Sequence, residues 1–260
     1  MNDQISESRL QFLSHKQVRD RKWEIAVLPF GATEPHNLHL PYGTDCFQVE
    51  EIGRLACNKA NSQGARALLL PVIPFGVNTN YFHIPGGMTP GLKPTTLLAI
   101  LRDVADSLSR QGMKKLLLLN GHGGNELKPF IRELFEEFPI FIGLVDWFRM
   151  ASDLIRSTLD QPGEHADELE TSLIMALKPD LVDLSQADDG AAIPSKVEAI
   201  NKGWISVSRP WHLATTGTGI GNPFKGTAEK GKSLLESSSD RLAVSLCQLS
   251  QIPYSSDYPW

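Results

Sequence analysis

The segment Glu34-Pro-His36-Asn-Leu-His39-Leu-Pro-Tyr-Gly-Thr-Asp45 gathers carboxylates and imidazoles in a short span. These side chains hold Zn, Mn or Fe(II) better than Ca or Mg. If one carboxylate, best Asp45, reached two ions, the centre would be binuclear, making hydroxide near neutral pH and polarising a carbonyl. Three further clusters bear chemistry: Asn120-Gly-His122-Gly-Gly-Asn125, Glu164-His165-Ala-Asp167-Glu168-Leu-Glu170-Thr-Ser172, and His83-Ile-Pro-Gly-Gly87.

Each cluster alone has an ordinary structural reading. The glycines Gly121, Gly123 and Gly124 suit a tight strand-to-helix turn, or a phosphate cradle at a helix start. The sequence has no GxxxxGK[ST], and GHGGN does not match GxGxxG. Asp167 and Glu168 suit a first helical turn, where the macrodipole favours acidic residues. Glu170 differs, because it falls among Leu169, Leu173 and Ile174. A carboxylate buried there needs a partner.

Alternating strands and helices must position these groups. Apolar runs predict strands over 23–30, 67–73, 116–119 and 140–145, with one more over 204–207. Helical spacing predicts helices over 46–62, 94–112, 125–138, 166–177 and 230–249. Repeated β-α units imply an α/β fold with a mostly parallel sheet covered by helices. A parallel sheet gathers its C-terminal strand ends at one edge. His122 can therefore meet the Glu34–Asp45 segment there.

The 260 residues are 41% hydrophobic and 21% charged, with a net charge of -5. That balance provides a sizeable core and argues against a nucleic-acid partner. No apolar stretch is long enough for a membrane span or a signal peptide. The three cysteines show no CxxC spacing, so a reduced cytoplasmic setting is expected.

Together the motifs resemble the creatininase (creatinine amidohydrolase) family. They follow the family's order: LPFGATEPHNLHLPYGTD (28–45), HIPGG (83–87), LLLLNGHGGN (116–125), EHADELETSLIMALKPDLVDL (164–184) and GTGIGNPFKGTAEKG (217–231). The resemblance implies one three-layer α/β/α domain over 1–260 with two divalent ions (Zn, Mn or Fe). It also implies a homo-oligomer, a hexamer built as a trimer of dimers. Carried over by position, Glu34, His36, Asp45 and His122 match metal ligands, with Asp45 bridging. His165 matches a histidine proposed to move protons. Trp147 lies near a substrate-contacting tryptophan, though a core or wall aromatic serves equally as a reading. His39, Asn120 and Asn125 are read as supports behind the ligands, and His83, Gly123 and Gly124 as substrate-side.

The chain departs from creatininase proper. The tyrosine and metal-binding glutamate of its NGH motif are here Gly123 and Gly124, which removes one ligand and leaves space beside the ions. Glu170 is the replacement expected. HNLHLPYG stands where HGPHLPLG is commoner, and the stretch before His83 is also unlike creatininase. A small-molecule substrate other than creatinine is therefore expected: a cyclic amide, lactam or formamide, cleaved by a metal-bridging hydroxide. His165, or alternatively Glu168 or Glu170, would carry the proton. The rivals are a peptidase-like member, although HExxH is absent, and an inactive metal-containing binding protein.

Overall fold

The computed structural model describes residues 7–260. Strands β1 (Ile25–Phe30), β2 (Ala67–Leu69), β3 (Lys115–Asn120) and β4 (Phe141–Asp146) form a parallel sheet in the order β2-β1-β3-β4. All of β1 and β3 is buried, as continuous apolar runs covered on both faces require. Alternate residues face opposite layers. Ile25, Val27, Leu117 and Leu119 pack into one apolar cluster, and Ala26, Leu28, Leu116 and Leu118 into the other.

The helices are α1 (His15–Asp20), α2 (Thr44–Ser62), α3 (Pro94–Arg110), α4 (Lys128–Glu133), α5 (Trp147–Met150), α6 (Ser152–Thr158), α7 (Glu168–Leu177), α8 (Glu198–Asn201), α9 (Trp211–Ala214) and α10 (Ala228–Gln251). Val49 and Ile52 of α2, Leu173 of α7 and Leu242 of α10 share the first cluster; Leu97 and Leu101 of α3 join the second. The fold is thus α/β, with helices on both faces of the sheet. Among the described residues, no helix is long and apolar enough to cross a membrane.

Three elements differ from expectation. The strand expected over 67–73 stops at Leu69, because Pro71 brings no N–H to the ladder; Ile73 keeps only an isolated bridge to Phe30. The helix expected over 125–138 shrinks to α4. Asn125 is held in the preceding turn by hydrogen bonds to Gly31 and Val77, and the chain turns at Glu136 with φ 61°. Residues 204–207 form no strand. The amides of Trp204 and Ile205 fold back onto the Ala199 carbonyl instead of pairing with another strand.

From β1 the chain crosses to β2 on one side, then returns to β3 on the other. That reversal opens a crevice at the C-terminal ends of β1 and β3, where open α/β sheets bind ligands.

Candidate metal centre

Both central strands deliver buried polar residues to this crevice. After β1 the chain makes a tight turn, with an isolated bridge from His36 to Leu40 and Asn37 in the left-handed region at φ 54°. Asparagine tolerates that conformation. The turn buries Glu34 and His36 completely. Asp45 enters the first turn of α2, where the helix dipole favours an anion. His122 follows β3, and Glu170 lies in the first turn of α7.

These groups converge on Asp45. Its Oδ2 lies 3.2 Å from His122 Nδ1, which is also 3.1 Å from Glu34 Oε1. Its Oδ1 lies 3.2 Å from His36 Nε2, which is 3.6 Å from Glu170 Oε2. Three sets of donor atoms each fall within 4.8 Å of one another: Glu34–Asp45–His122, His36–Asp45–Glu170 and Glu34–His36–His165. Glu34 Oε1, Asp45 Oδ2 and His122 Nε2 are buried without a hydrogen-bond partner. Such atoms are costly unless a ligand occupies them. The mixed imidazole and carboxylate donors fit a divalent transition ion.

The electrostatics agree. Burial alone would lower the pKa of His36, but Glu170 and Asp45 hold it well above its usual value. Burial likewise opposes charge on His122, which Glu34 and Asp45 nevertheless raise to about 10. Burial would raise Asp45 and Glu170; the neighbouring histidines keep both below the ordinary carboxylate range. Without an ion the carboxylates would thus favour protons on the two imidazoles. Metal binding would replace them.

The surrounding side chains fix the donors. Asn120 accepts from the His122 amide and donates to the His122 carbonyl, at 3.2 and 3.0 Å. Asn125 ties the same turn to Gly31 and Val77. His39 Nε2 is 2.8 Å from Thr171 Oγ1, and His39 enters none of the donor sets. Burial, aided by His36, lowers the pKa of His39 to about 4. Gln48 donates to Glu170 at 3.2 Å, and Asn78 to Glu34 at 3.0 Å.

The two glycines of the NGHGGN turn differ. A Cβ at Gly124 would lie 2.4 Å from His122 Nε2 and 2.9 Å from the Val77 carbonyl, so this turn admits no side chain there. The space expected from Gly124 is therefore absent. At Gly123 a Cβ would meet nothing within 4 Å. Both line a cavity of about 880 Å³ with Glu34, Asp45, His122 and His165. Trp147 also lines it, 2% exposed, with an unpartnered indole N–H.

His165 precedes Ala166, whose φ of 49° turns the chain into α7. A left-handed alanine is strained, and such strain clusters at functional sites. The Ala166 amide donates to Glu170 Oε2 at 2.5 Å, so one kink orients both His165 and Glu170. His165 Nδ1 lies 3.8 Å from Glu34 Oε1 and 3.8 Å from Glu170 Oε2.

Two further expectations fail. Glu168 does not face the site: its carboxylate accepts from the Asp160 and Gln161 amides and pairs with Lys230 at 2.5 Å. It cannot carry a proton to a substrate from there. His83 lies outside the cavity, exposed and ring-to-ring with His212 at 5.3 Å. The turns at Tyr81–Ile84 and Ile84–Gly87 send His83 outward and Tyr81 inward.

Sequence reasoning missed Asn78, Tyr81, Gln48 and Trp211. Gln48 was findable, since it follows Asp45 by three residues on one helix face. The other three stand on irregular chain whose path has no periodic signal.

The sequence profile of the family described as creatinine amidohydrolase matches residues 11–246. Creatinine amidohydrolase of Pseudomonas putida is 30% identical over 186 residues, covering 64% of this chain and 68% of that protein. The 3-dehydro-scyllo-inosose hydrolase of Thermotoga maritima is 28% identical over 69% of this chain and 59% of its own length. The mycofactocin precursor peptide peptidase of Mycobacterium ulcerans is 24% identical over 81% and 79%. Among solved structures, a candidate creatinine amidohydrolase from Bacteroides fragilis superposes with TM-score 0.89 at 38% identity, covering 98% of this chain and 100% of that one. A Mn creatininase (TM-score 0.75) and a Zn-Zn creatininase variant (0.74), each 22% identical and covering 94% of this chain and 99% of its own, share the fold.

Proposed function

Because the chain belongs to the creatininase (creatinine amidohydrolase) family, we propose that this hydrolase uses two divalent ions to cleave a non-peptide C–N bond. The bond lies in a cyclic amide, lactam or formamide. The observation that carries this reading is Asp45, whose two oxygens face His122 and His36 separately. Glu34, Asp45 and His122 would hold one ion, and His36, Asp45 and Glu170 the other. Zn and Mn are the metals named for related structures. Ions held there would supply Lewis acidity and lower the pKa of water toward neutrality.

The protein's own groups do the rest. His165 Nε2 is anchored to the Pro35 carbonyl at 2.9 Å. Nδ1 is therefore the nitrogen that takes a proton and returns it to the leaving nitrogen, a contribution of about 10²–10⁴ in rate. The Trp147 ring walls the cavity, and Gly123 leaves room for the substrate. A homo-oligomer is part of the same reading and rests on the family resemblance alone.

A second reading, cleavage of a peptide-derived bond, is favoured by the mycobacterial relative. A cavity of about 880 Å³ also stands near the top of the range of about 300–1,000 Å³ for ligand pockets. The deciding experiment is a screen of lactams, cyclic ureides, formamides and short peptides, with Mn, Zn and Fe(II) each supplied. Turnover confined to the first three classes is expected. Turnover of peptides alone would establish the second reading instead.

A further inference from the structure

Tyr81 enters the cavity two residues before the exposed His83, and nothing in the chemistry above uses it. It is 4% exposed and lines the cavity beside Glu34, Asp45 and His122. Its ring lies 4.9 Å from that of Trp211, which in turn lies 4.9 Å from His165. The Tyr81 ring also meets His165 edge-on at 6.3 Å, so its position is set by packing on two sides.

The hydroxyl oxygen is 3.4 Å from His165 Nε2. That nitrogen is only 2.9 Å from the Pro35 carbonyl oxygen. A carbonyl only accepts, so Nε2 carries a proton and directs it at Pro35. It cannot also accept from Tyr81. The phenol proton is thus free for Glu34, whose Oε1 has no hydrogen-bond partner, or for an oxygen entering the cavity. A phenol, with an ordinary pKa of about 10, keeps that proton at neutral pH.

We propose that Tyr81 is a catalytic residue whose hydroxyl donates a hydrogen bond to the amide carbonyl oxygen of the substrate as that oxygen becomes an oxyanion. The inference rests on the amide-hydrolysis reading above. A water oxygen bonds to the carbonyl carbon as one of its O–H protons passes to His165 Nδ1, and the C=O π pair moves to the oxygen that Tyr81 faces. That pair then returns as the C–N bond breaks, and His165 delivers the proton to nitrogen. The Tyr81 O–H bond stays intact throughout. Removing one donor of this kind typically lowers kcat by about 10²–10³.

The test is Tyr81→Phe, which keeps the ring packing. With whichever amide of the screen the wild type hydrolyses, kcat should fall about 100-fold while KM and metal content hold. An unchanged kcat overturns the proposal, and so does a loss of bound metal, which would mean that Tyr81 only steadies Glu34. Calorimetric titration of the metal-loaded protein with acetohydroxamate gives a readout independent of turnover. The Phe variant should bind it about tenfold or more weakly, as for a lost hydrogen bond to a charged group. If the wild type hydrolyses no amide, the functional reading fails. Equal hydroxamate affinity at equal metal content overturns the role of Tyr81.

Discussion

Glu34, Asp45 and His122 stand on chain that has just left β1 and β3, or on the first turn of α2 that follows. Tyr81, Arg209 and Trp211 stand on or beside stretches 74–93 and 202–210, which contain neither helix nor strand. Both groups line one cavity, yet they are held differently. The first hangs from two fully buried strands. The second is held by local contacts: the Tyr81–Trp211 stack, and an Arg209–Glu164 ion pair at 2.8 Å with the guanidinium 4.9 Å above Trp211. The difference separates two tasks. A cluster of buried titratable groups needs a floor that does not yield, whereas the groups that meet a substrate stand on chain that can vary without disturbing the sheet.

The sharpest way to break this division is at Asn78, which belongs to the irregular wall but donates to Glu34 in the floor. Asn78→Ala should weaken metal binding about 10–100-fold, as loss of an outer hydrogen-bond partner typically does. Unchanged affinity would mean that the floor is self-sufficient. A second test concerns His39, beneath the floor. Its pKa is lowered from 6.5 to about 4, so between these values the unfolded chain binds the extra proton. Its contribution to stability is therefore whole above pH 6.5 and is lost as pH falls toward 4. Urea titrations should show a loss of up to about 3 kcal/mol from this group, and His39→Gln should flatten the acid limb. The smallest effect on chemistry is expected at Glu168. Glu168→Gln should lower stability by about 1–3 kcal/mol, because it discharges a buried carboxylate paired with Lys230. Its kcat should stay near that of the wild type; a large fall would return Glu168 to the reaction.

The floor was legible because its residues carry their chemistry in their types and follow apolar runs. Glu34, His36, Asp45 and His122 stood out for that reason, and Glu170 for sitting among leucines. Glu168 misled because a carboxylate one residue from Asp167 looks the same whether it faces a cavity or a lysine. Its partner, Lys230, lies far along the chain in α10. His83 misled in the opposite way: its motif was visible, but the turns that face it outward were not. Tyr81 and Asn78 carried no signal, since inward placement in a loop depends on tertiary packing rather than on period.

The central claim is that Asp45 joins two donor sets and that Glu170 completes the second, replacing the side chain that Gly124 cannot carry. Metal content per chain, measured after reconstitution with Mn or Zn, tests it directly. The wild type should hold two ions, and Glu170→Ala and His122→Ala should each hold one or fewer. A wild type that binds a single ion, or a Glu170→Ala variant that keeps both, would contradict the account.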